Sequence, residues 1–328
     1  MLTIHIISTA LSPITHMHGV AGNVALLQRE AVIGDEGSLH FIPCLSGNAL
    51  RHVLVRTPAA QYMADAIGLD VMPYQLADLL WHGGRLTKAN PLTAKETKEL
   101  MGYIPFFALL GGALPGQILQ GCLKVSRALL ICSETAHIIE KQTGVHVESA
   151  QGAESFVGSY QYTRGAEENN PEAIADRMIY EGECVRAGAK FYHTLSLENP
   201  SRLAIGCLLR ALYDASKDIG GMGRIGHGEL HMEWHCAEID DPNAYIKDYE
   251  EYIQKTAAII SERLLGLFDA SKVKDVPELG VMDEAPKEAK KSRKKAAEKA
   301  DRLAKKEAVK QLKAQNGELD FFGEVPEA

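Results

Sequence analysis

The run Gly220-Gly221-Met222-Gly223-Arg224-Ile225-Gly226-His227-Gly228 limits the fold more than any other stretch of the chain. Five glycines in nine residues are too costly in backbone entropy for a helix or a regular strand. The run must be a connection, and its flanks define what it connects. Upstream, Pro200 or Ser201 opens a helix with Leu203, Ile205, Leu208, Leu209 and Leu212 available for burial. Downstream, Leu230, Met232, Trp234 and Cys236 alternate with Glu229, His231, Glu233 and His235, which predicts a half-buried strand. On a helix His227, His231 and His235 would share one face and could bind zinc, but Gly228 and its neighbours break helices and the segment alternates, which argues against that reading. HGELH is also not HExxH. The run lacks the Lys-Ser/Thr of a P-loop and precedes a strand, so neither nucleotide-binding fingerprint fits. Two readings stay open: a flexible connection, or backbone that approaches a ligand closely with Arg224 as a charged handle.

The rest of the chain supplies partners for that unit. Leu2–Leu11 reads as a strand, followed by a Gly- and His-containing loop from Ser12 to Asn23. His16 and His18 in that loop are ordinary loop histidines or donors and stacking surfaces for a ligand. Val24–Ile33 and Leu39–Cys44 flank the turn Gly34-Asp35-Glu36-Gly37, a hairpin signature. Ser46 or Asn48 can cap the next helix, whose Ala49, Leu50, Val53 and Leu54 mark an apolar face. Residues 59–103 look mainly helical, with breaks at Pro73, Gly83-Gly84 and Pro91. Ile118–Cys132 is strand-like, and Phe191–Leu197 alternates as a strand. Gly144–Pro171 is poor in apolar residues, as functional or disordered loops are. Tyr245–Phe268 predicts an amphipathic helix. Without its insertions the order is βαββαβ, an α+β ferredoxin-like unit.

Composition bounds function. With 328 residues, 46% of them apolar, the chain can bury a large core. Its net charge of −8 argues, taken whole, against a nucleic-acid binder. The sum hides an asymmetry: residues 287–313 carry 12 basic and 4 acidic side chains, leaving a body with net charge −16. From Ala285 to Gln315 the strong helix formers Ala, Lys, Glu and Leu dominate, so a charged helical tail is expected over 276–328. That tail is either a solvated face or a nucleic-acid contact. The six cysteines form no CxxC pair and read as reduced thiols of a cytoplasmic protein. The first residues lack a basic leader, and no apolar run reaches the roughly 18–20 residues of a membrane span.

Four stretches together carry a resemblance. FIPCLSGNALRHVLVR at 41–56 resembles a "I-P-G-S-S-L-K-G-x-L-R" helix start. FFALLGGALPGQILQGCLKVSRALLI at 106–131 is similar to an "L-F-G…G-x-L-x-V-S-D" segment. MIYEGECVRAGAKFYHTLSL at 178–197 is similar to a strand pair "E-x-V-x-x-G-x-x-F", and GGMGRIGHGELHME at 220–233 to a Gly-rich loop before a last strand. In that order they resemble the Cas-seven backbone subunits of the RAMP superfamily of CRISPR-associated proteins. The size and the Leu-Leu-Trp-His-Gly-Gly stretch at 79–84 resemble most the type IV backbone subunit.

The resemblance implies a modified RRM-like palm over 1–275, with a helical insertion at 57–117 and a thumb at 145–178. It implies copies stacked along a guide RNA, no cofactor and no metal. Implied partners are the guide RNA, a complementary target expected to be DNA, a guide-processing endonuclease and other effector subunits. The RNA-binding residues it implies are His16, His18, Asn23, Ser46, Asn48, Arg51, Arg56, Gly221, Gly223, Arg224, Gly226 and His227, with Tyr160, Tyr162, Arg164, Arg177 and Met178 from the thumb. Contacts to phosphate and shape carry no sequence information, as a carrier of arbitrary guides requires. One departure bears on chemistry. RNA-cleaving members carry an aspartate in the first loop, whereas Ile14 to Leu27 here holds no acid and Asn23 stands near that place. An amide cannot act as general base or direct a metal, so a binder that does not cut is expected. The alternative is a processing ribonuclease of the same superfamily, with His16, His18 or His227 as acid or base.

Overall fold

The first strand sets the layering. In β1 (Leu2–Ala10), Ile4, Ile6, Ser8 and Ala10 are buried, while Thr3, His5, Ile7 and Thr9 between them are less so. The structure, a computed structural model, describes residues 1–268 apart from 70, 89, 145, 148–150, 164–178 and 216–217. The expected tail at 276–328 therefore lies outside the described residues.

Four strands follow β1: β2 (Met17–Ala21), β3 (Val24–Leu27), β4 (Arg29–Ile33) and β5 (Leu39–Leu45). One helical stretch then runs as α1 (Gly47–Leu50), a π-helical turn (Arg51–Arg56) and α2 (Thr57–Ala66). Next come α3 (Tyr74–Ala77) with a second π-helical turn (Asp78–His82), α4 (Ala94–Tyr103) and α5 (Pro105–Leu110). The middle holds β6 (Gly111–Leu114), β7 (Gln117–Gln120), β8 (Leu123–Val125), β9 (Ala128–Leu130) and α6 (Ala136–Thr143). The last part is β10 (Val157–Thr163), β11 (Ile179–Val185), β12 (Lys190–Leu197), α7 (Arg202–Asp214), β13 (Leu230–His235) and α8 (Pro242–Gly266). The protein is thus mixed α+β.

The larger sheet has the order β13-β1-β12-β9-β5-β4, with β8 also on β12, and every pair is antiparallel. Its buried face shares one apolar core with the helices, joining Ile4, Ile6, Phe191 and Leu195 to Leu50, Leu54, Leu208 and Ile253. Packing of α7 on α8 is close at Gly206, where a Cβ would lie 2.3 Å from the Tyr245 carbonyl. One core residue is out of character. His193, opposite Ile6, is fully buried, and neither ring nitrogen has a hydrogen-bond partner among the described residues. Burial pushes its pKa down to about 4.

The smaller sheet has the order β10-β11-β3-β2. Within it, β3 runs parallel to β11, with Val24 opposite Glu181 and Ala25 opposite Gly182. The expected loop Ser12–Asn23 is partly a strand here. β2 and β3 form a hairpin through Gly22-Asn23, with Gly22 at φ +62°. β2 is exposed along its whole length, so burial imprints no alternation on its sequence. The expected single strand Val24–Ile33 is broken at Gln28, whose N–H donates to the His16 carbonyl (2.8 Å) and whose carbonyl accepts from Cys44 N–H. The chain changes sheets there. The strand-like stretch Ile118–Cys132 is likewise divided into β7, β8 and β9. No helix among the described residues is long and apolar enough to cross a membrane.

Candidate nucleic-acid interface

Three consecutive residues tie the distant motifs together. Ile14 exchanges two 2.8 Å backbone hydrogen bonds with Val185 at the end of β11. The Thr15 hydroxyl donates to the Gly221 carbonyl (2.6 Å), and Gly221 N–H donates to the Thr15 carbonyl (2.7 Å). His16 Nε2 accepts from the Ser46 N–H (3.1 Å) at the start of α1. The first loop, the Gly-rich run, the helix start and the β10–β11 hairpin therefore converge on residues 14–16.

The Gly-rich run serves this contact first. Gly220 sits at φ +89°, and a Cβ there would lie 2.4 Å from the Thr15 carbonyl oxygen. No L side chain fits both constraints. Gly221 packs on the same segment, whereas Gly223 and Gly226 face open space. Between them Arg224 and Ile225 are exposed, and the turn begins at Met222 with a left-handed φ of +65°. Arg224 makes no ion pair among the described residues. His227 is half-buried and lies edge-on to the Tyr160 ring, 5.5 Å between centroids at 87°.

Tyr160 begins a row of aromatic rings on the smaller sheet. Its ring lies over Gly182, where an added Cβ would be 2.5–2.6 Å from it. The Tyr160 hydroxyl reaches Met17 Sδ at 3.6 Å, which ties β10 to β2. Tyr162 stacks near Tyr160 (6.4 Å) and against its cross-strand partner Tyr180 (4.9 Å, 11°). All three tyrosines are partly exposed, so their faces are available to a flat ligand. The row is held by Arg29, which forms a two-pronged bond to Glu183 (2.9 and 3.2 Å) while Leu27 N–H donates to the same carboxylate. Burial alone would raise the Glu183 pKa; the Arg29 hydrogen bonds, the Leu27 N–H and the Arg29 charge outweigh it and hold the pKa below the usual value.

The expected residues fall into three groups. His18, Asn23, Tyr160, Tyr162, Gly221, Gly223, Arg224, Gly226 and His227 lie around the convergence just described, with His18 and Asn23 exposed on the β2–β3 hairpin. A second group is engaged in holding the chain together. Ser46 is the N-cap of α1, its hydroxyl accepting from Ala49 N–H, whereas Asn48 lies exposed in the first turn and is not the cap. His16 Nε2 accepts from Ser46, and burial lowers the His16 pKa despite a hydrogen bond to the Gln28 side chain, which raises it. Arg51 donates to the carbonyls of Leu110 and Leu123. Arg56 is buried and donates to the carbonyls of Leu79, Leu80 and Gly111. Burial and the neighbouring Arg51 bring the Arg56 pKa down to about 10. The third group, Arg164, Arg177 and Met178, lies outside the described residues, as does most of the expected thumb at 145–178.

Sequence reasoning missed Thr15, Met17, Tyr180 and Gly182. Tyr180 and Gly182 are legible in retrospect, since they repeat at the two-residue period of a strand opposite Tyr162 and Tyr160. Thr15 and Met17 carry no such signal. Among the described residues no group of three or more His, Cys, Asp or Glu side chains is arranged to hold a metal ion.

No protein-family profile matches the chain, and no curated protein matches it in sequence. The fold does have solved counterparts. It is similar to a chain of a Type IV-B CRISPR complex, at 21% identity and a TM-score of 0.54, over 73% of this chain and 92% of that one. The crystal structure of Thermofilum pendens Csc2 also aligns, at 12% identity and a TM-score of 0.38, over 81% of this chain and 80% of that one, too weakly to bear on the argument. The first of these likenesses is one of fold.

Proposed function

We propose that this chain is a non-catalytic backbone subunit of a CRISPR effector complex. It binds a guide RNA along its phosphates and assembles along that RNA in successive copies. The observation that carries the reading is the convergence at Ile14, Thr15 and His16, which gathers an exposed arginine turn, a row of tyrosines and the first helix at one place. Aromatic faces beside a cationic, glycine-rich turn are what a single strand of any sequence needs: stacking for bases, and backbone and charge for phosphates.

Other features support the same reading. The run β13-β1-β12-β9, with helices after β1 and after β12, has the strand order of an RRM-like palm. In this reading the segment 57–117 is the helical insertion and 145–178 the thumb. In this reading residues 1–275 form the palm with its insertions, and 276–328 form a helical tail. Arg164, Arg177 and Met178 contact or wedge the guide, and Arg51 and Arg56 act from behind by bracing the insertion. The fold likeness to a Type IV-B complex chain makes type IV the favoured subtype. The first loop has no carboxylate, and Glu183 is tied to Arg29, so the subunit holds RNA without cutting it. The target is DNA, the other partners are further effector subunits and a guide-processing endonuclease, and the complex works in the cytoplasm without cofactor or metal.

The test is co-expression with a repeat–spacer RNA, followed by sizing and end-mapping of the bound RNA. Oligomers whose length grows with the RNA, carrying uncut guide, are expected. Specific cuts made by the purified chain would point instead to a processing ribonuclease.

A further inference from the structure

The two π-helical turns, Arg51–Arg56 and Asp78–His82, face one another. Such turns widen the helix and re-aim its side chains, and they recur at functional sites. Here they bring His52 and His82 side by side, 6.2 Å between ring centroids and 20° between planes. Both rings are exposed. A hydrogen bond to the Trp81 backbone steadies His52.

The electrostatics of this spot are one-sided. Near His52 lies Arg56, whose charge acts on it, with Arg51 as the neighbour of Arg56; both use N–H groups on carbonyls, and neither pairs with a carboxylate among the described residues. Burial, then His82 and then Arg56 lower the His52 pKa; the hydrogen bond to the Trp81 backbone raises it, and no acid among the described residues adds to that. On the facing turn the one acid, Asp78, is held by Arg85 at 3.0 Å, and Arg85 also donates to the Tyr74 hydroxyl. Outside the basic tail the chain carries net charge −16, so an acid-free cationic spot runs against its background. Two imidazoles placed together beside a guanidinium repel when protonated. An anion bridging them reverses that cost.

We infer that the His52–His82 pair is a second contact for single-stranded nucleic acid, taking a phosphate between the rings. The inference rests on the RNA-binding reading above. Two observations favour nucleic acid over an acidic protein. Imidazole faces also stack on bases. The helical stretch that carries His52 begins at Ser46, which His16 joins to the convergence, so the contact extends the same interface. Binding a phosphate favours the protonated rings, so affinity rises as pH falls.

The test uses the full chain and a fluorescein-labelled oligouridine, with anisotropy titrations across salt at about pH 7.5 and about pH 6.0, either side of the usual histidine pKa. The wild type is expected to bind several-fold tighter at the lower pH. H52Q/H82Q should lose that gain and reduce the log–log salt slope by about 0.7 for each phosphate the variant no longer neutralises. Arg224→Glu, in the Gly-rich turn, should weaken binding at both pH values. If H52Q/H82Q keeps the wild-type pH dependence and slope while Arg224→Glu weakens binding, the inference falls and the RNA-binding reading stands. If the wild type does not bind the oligomer, both fall. Polyglutamate that binds the wild type but not H52Q/H82Q, while RNA binding is unaffected by the variant, would reassign the pair to an acidic protein. Should the double variant fail to fold, H82Q alone carries the same test with a smaller change.

Discussion

The two sheets differ less in how their strands pair than in what covers them, although the smaller one includes the parallel pair β3–β11. In the larger sheet, Phe191, Leu195, Ile4 and Ile6 are sealed against helices. In the smaller one, β2 is exposed throughout, and three tyrosines lie partly open beside an exposed arginine turn. Burial of apolar surface is the main source of stability, so the larger sheet bears the fold. Half-exposed rings contribute less to folding and remain available to a ligand. Strand pairing alone does not separate a covered sheet from an open one; what packs on each face does.

That contrast can be broken at several points. The largest effect is expected from Phe191→Ala, which removes a fully buried ring and should cost about 3–5 kcal/mol in urea unfolding. If the loss is as small as for a surface residue, the larger sheet is not the scaffold. His193→Leu should act next, and through pH. A pKa of about 4 in the fold lies below the ordinary 6.5, so the unfolded chain binds more protons between those values. Wild-type stability should therefore fall from pH 6.5 towards 4, by up to about 3 kcal/mol, and the leucine variant should lose this part of the slope. Identical pH profiles would show that His193 finds a partner in solution.

Gly220→Ala tests the joint between the two regions. With φ at +89° and the Thr15 carbonyl 2.4 Å from the new Cβ, a loss of about 1–3 kcal/mol is expected. Oligouridine binding should weaken with it, because the Gly-rich turn is re-aimed. Tyr162→Ala should reverse the pattern seen at Phe191, with little change in the unfolding midpoint and roughly a tenfold loss of RNA affinity, the share of one stacked base. Equal RNA affinity in the tyrosine variant would remove the smaller sheet from the interface.

Much of this contrast is readable along the chain, and the limits are physical. α7 and β12 are legible because one face of each is buried, which imprints a period on the sequence; in β13 the alternation marks the strand, yet only Leu230 is buried and Trp234, expected on the covered face, lies exposed. The β2–β3 hairpin is not, since both faces of β2 meet solvent; its remaining signal is the Gly22-Asn23 turn. The site is legible in part. The glycine run and the tyrosines stand out by type, whereas Thr15 and Met17 enter only through partners about 140 to 200 residues away, a separation no local pattern encodes. Arg51 and Arg56 show the opposite limit. Their residue type points to phosphate, yet their guanidinium groups are used on carbonyls from 79–123.

By itself, then, the sequence determined the elements that local periodicity marks, the places where glycine must break them, the acid-free first loop and the asymmetry between body and tail. These depend on neighbours within a few residues, which the covalent chain holds together. Only the tertiary structure decided which arginines are spent and which are exposed, that residues 14–16 join three distant motifs, and that His52 meets His82. Those outcomes depend on which carbonyls, rings and carboxylates long-range packing brings within hydrogen-bond or stacking distance.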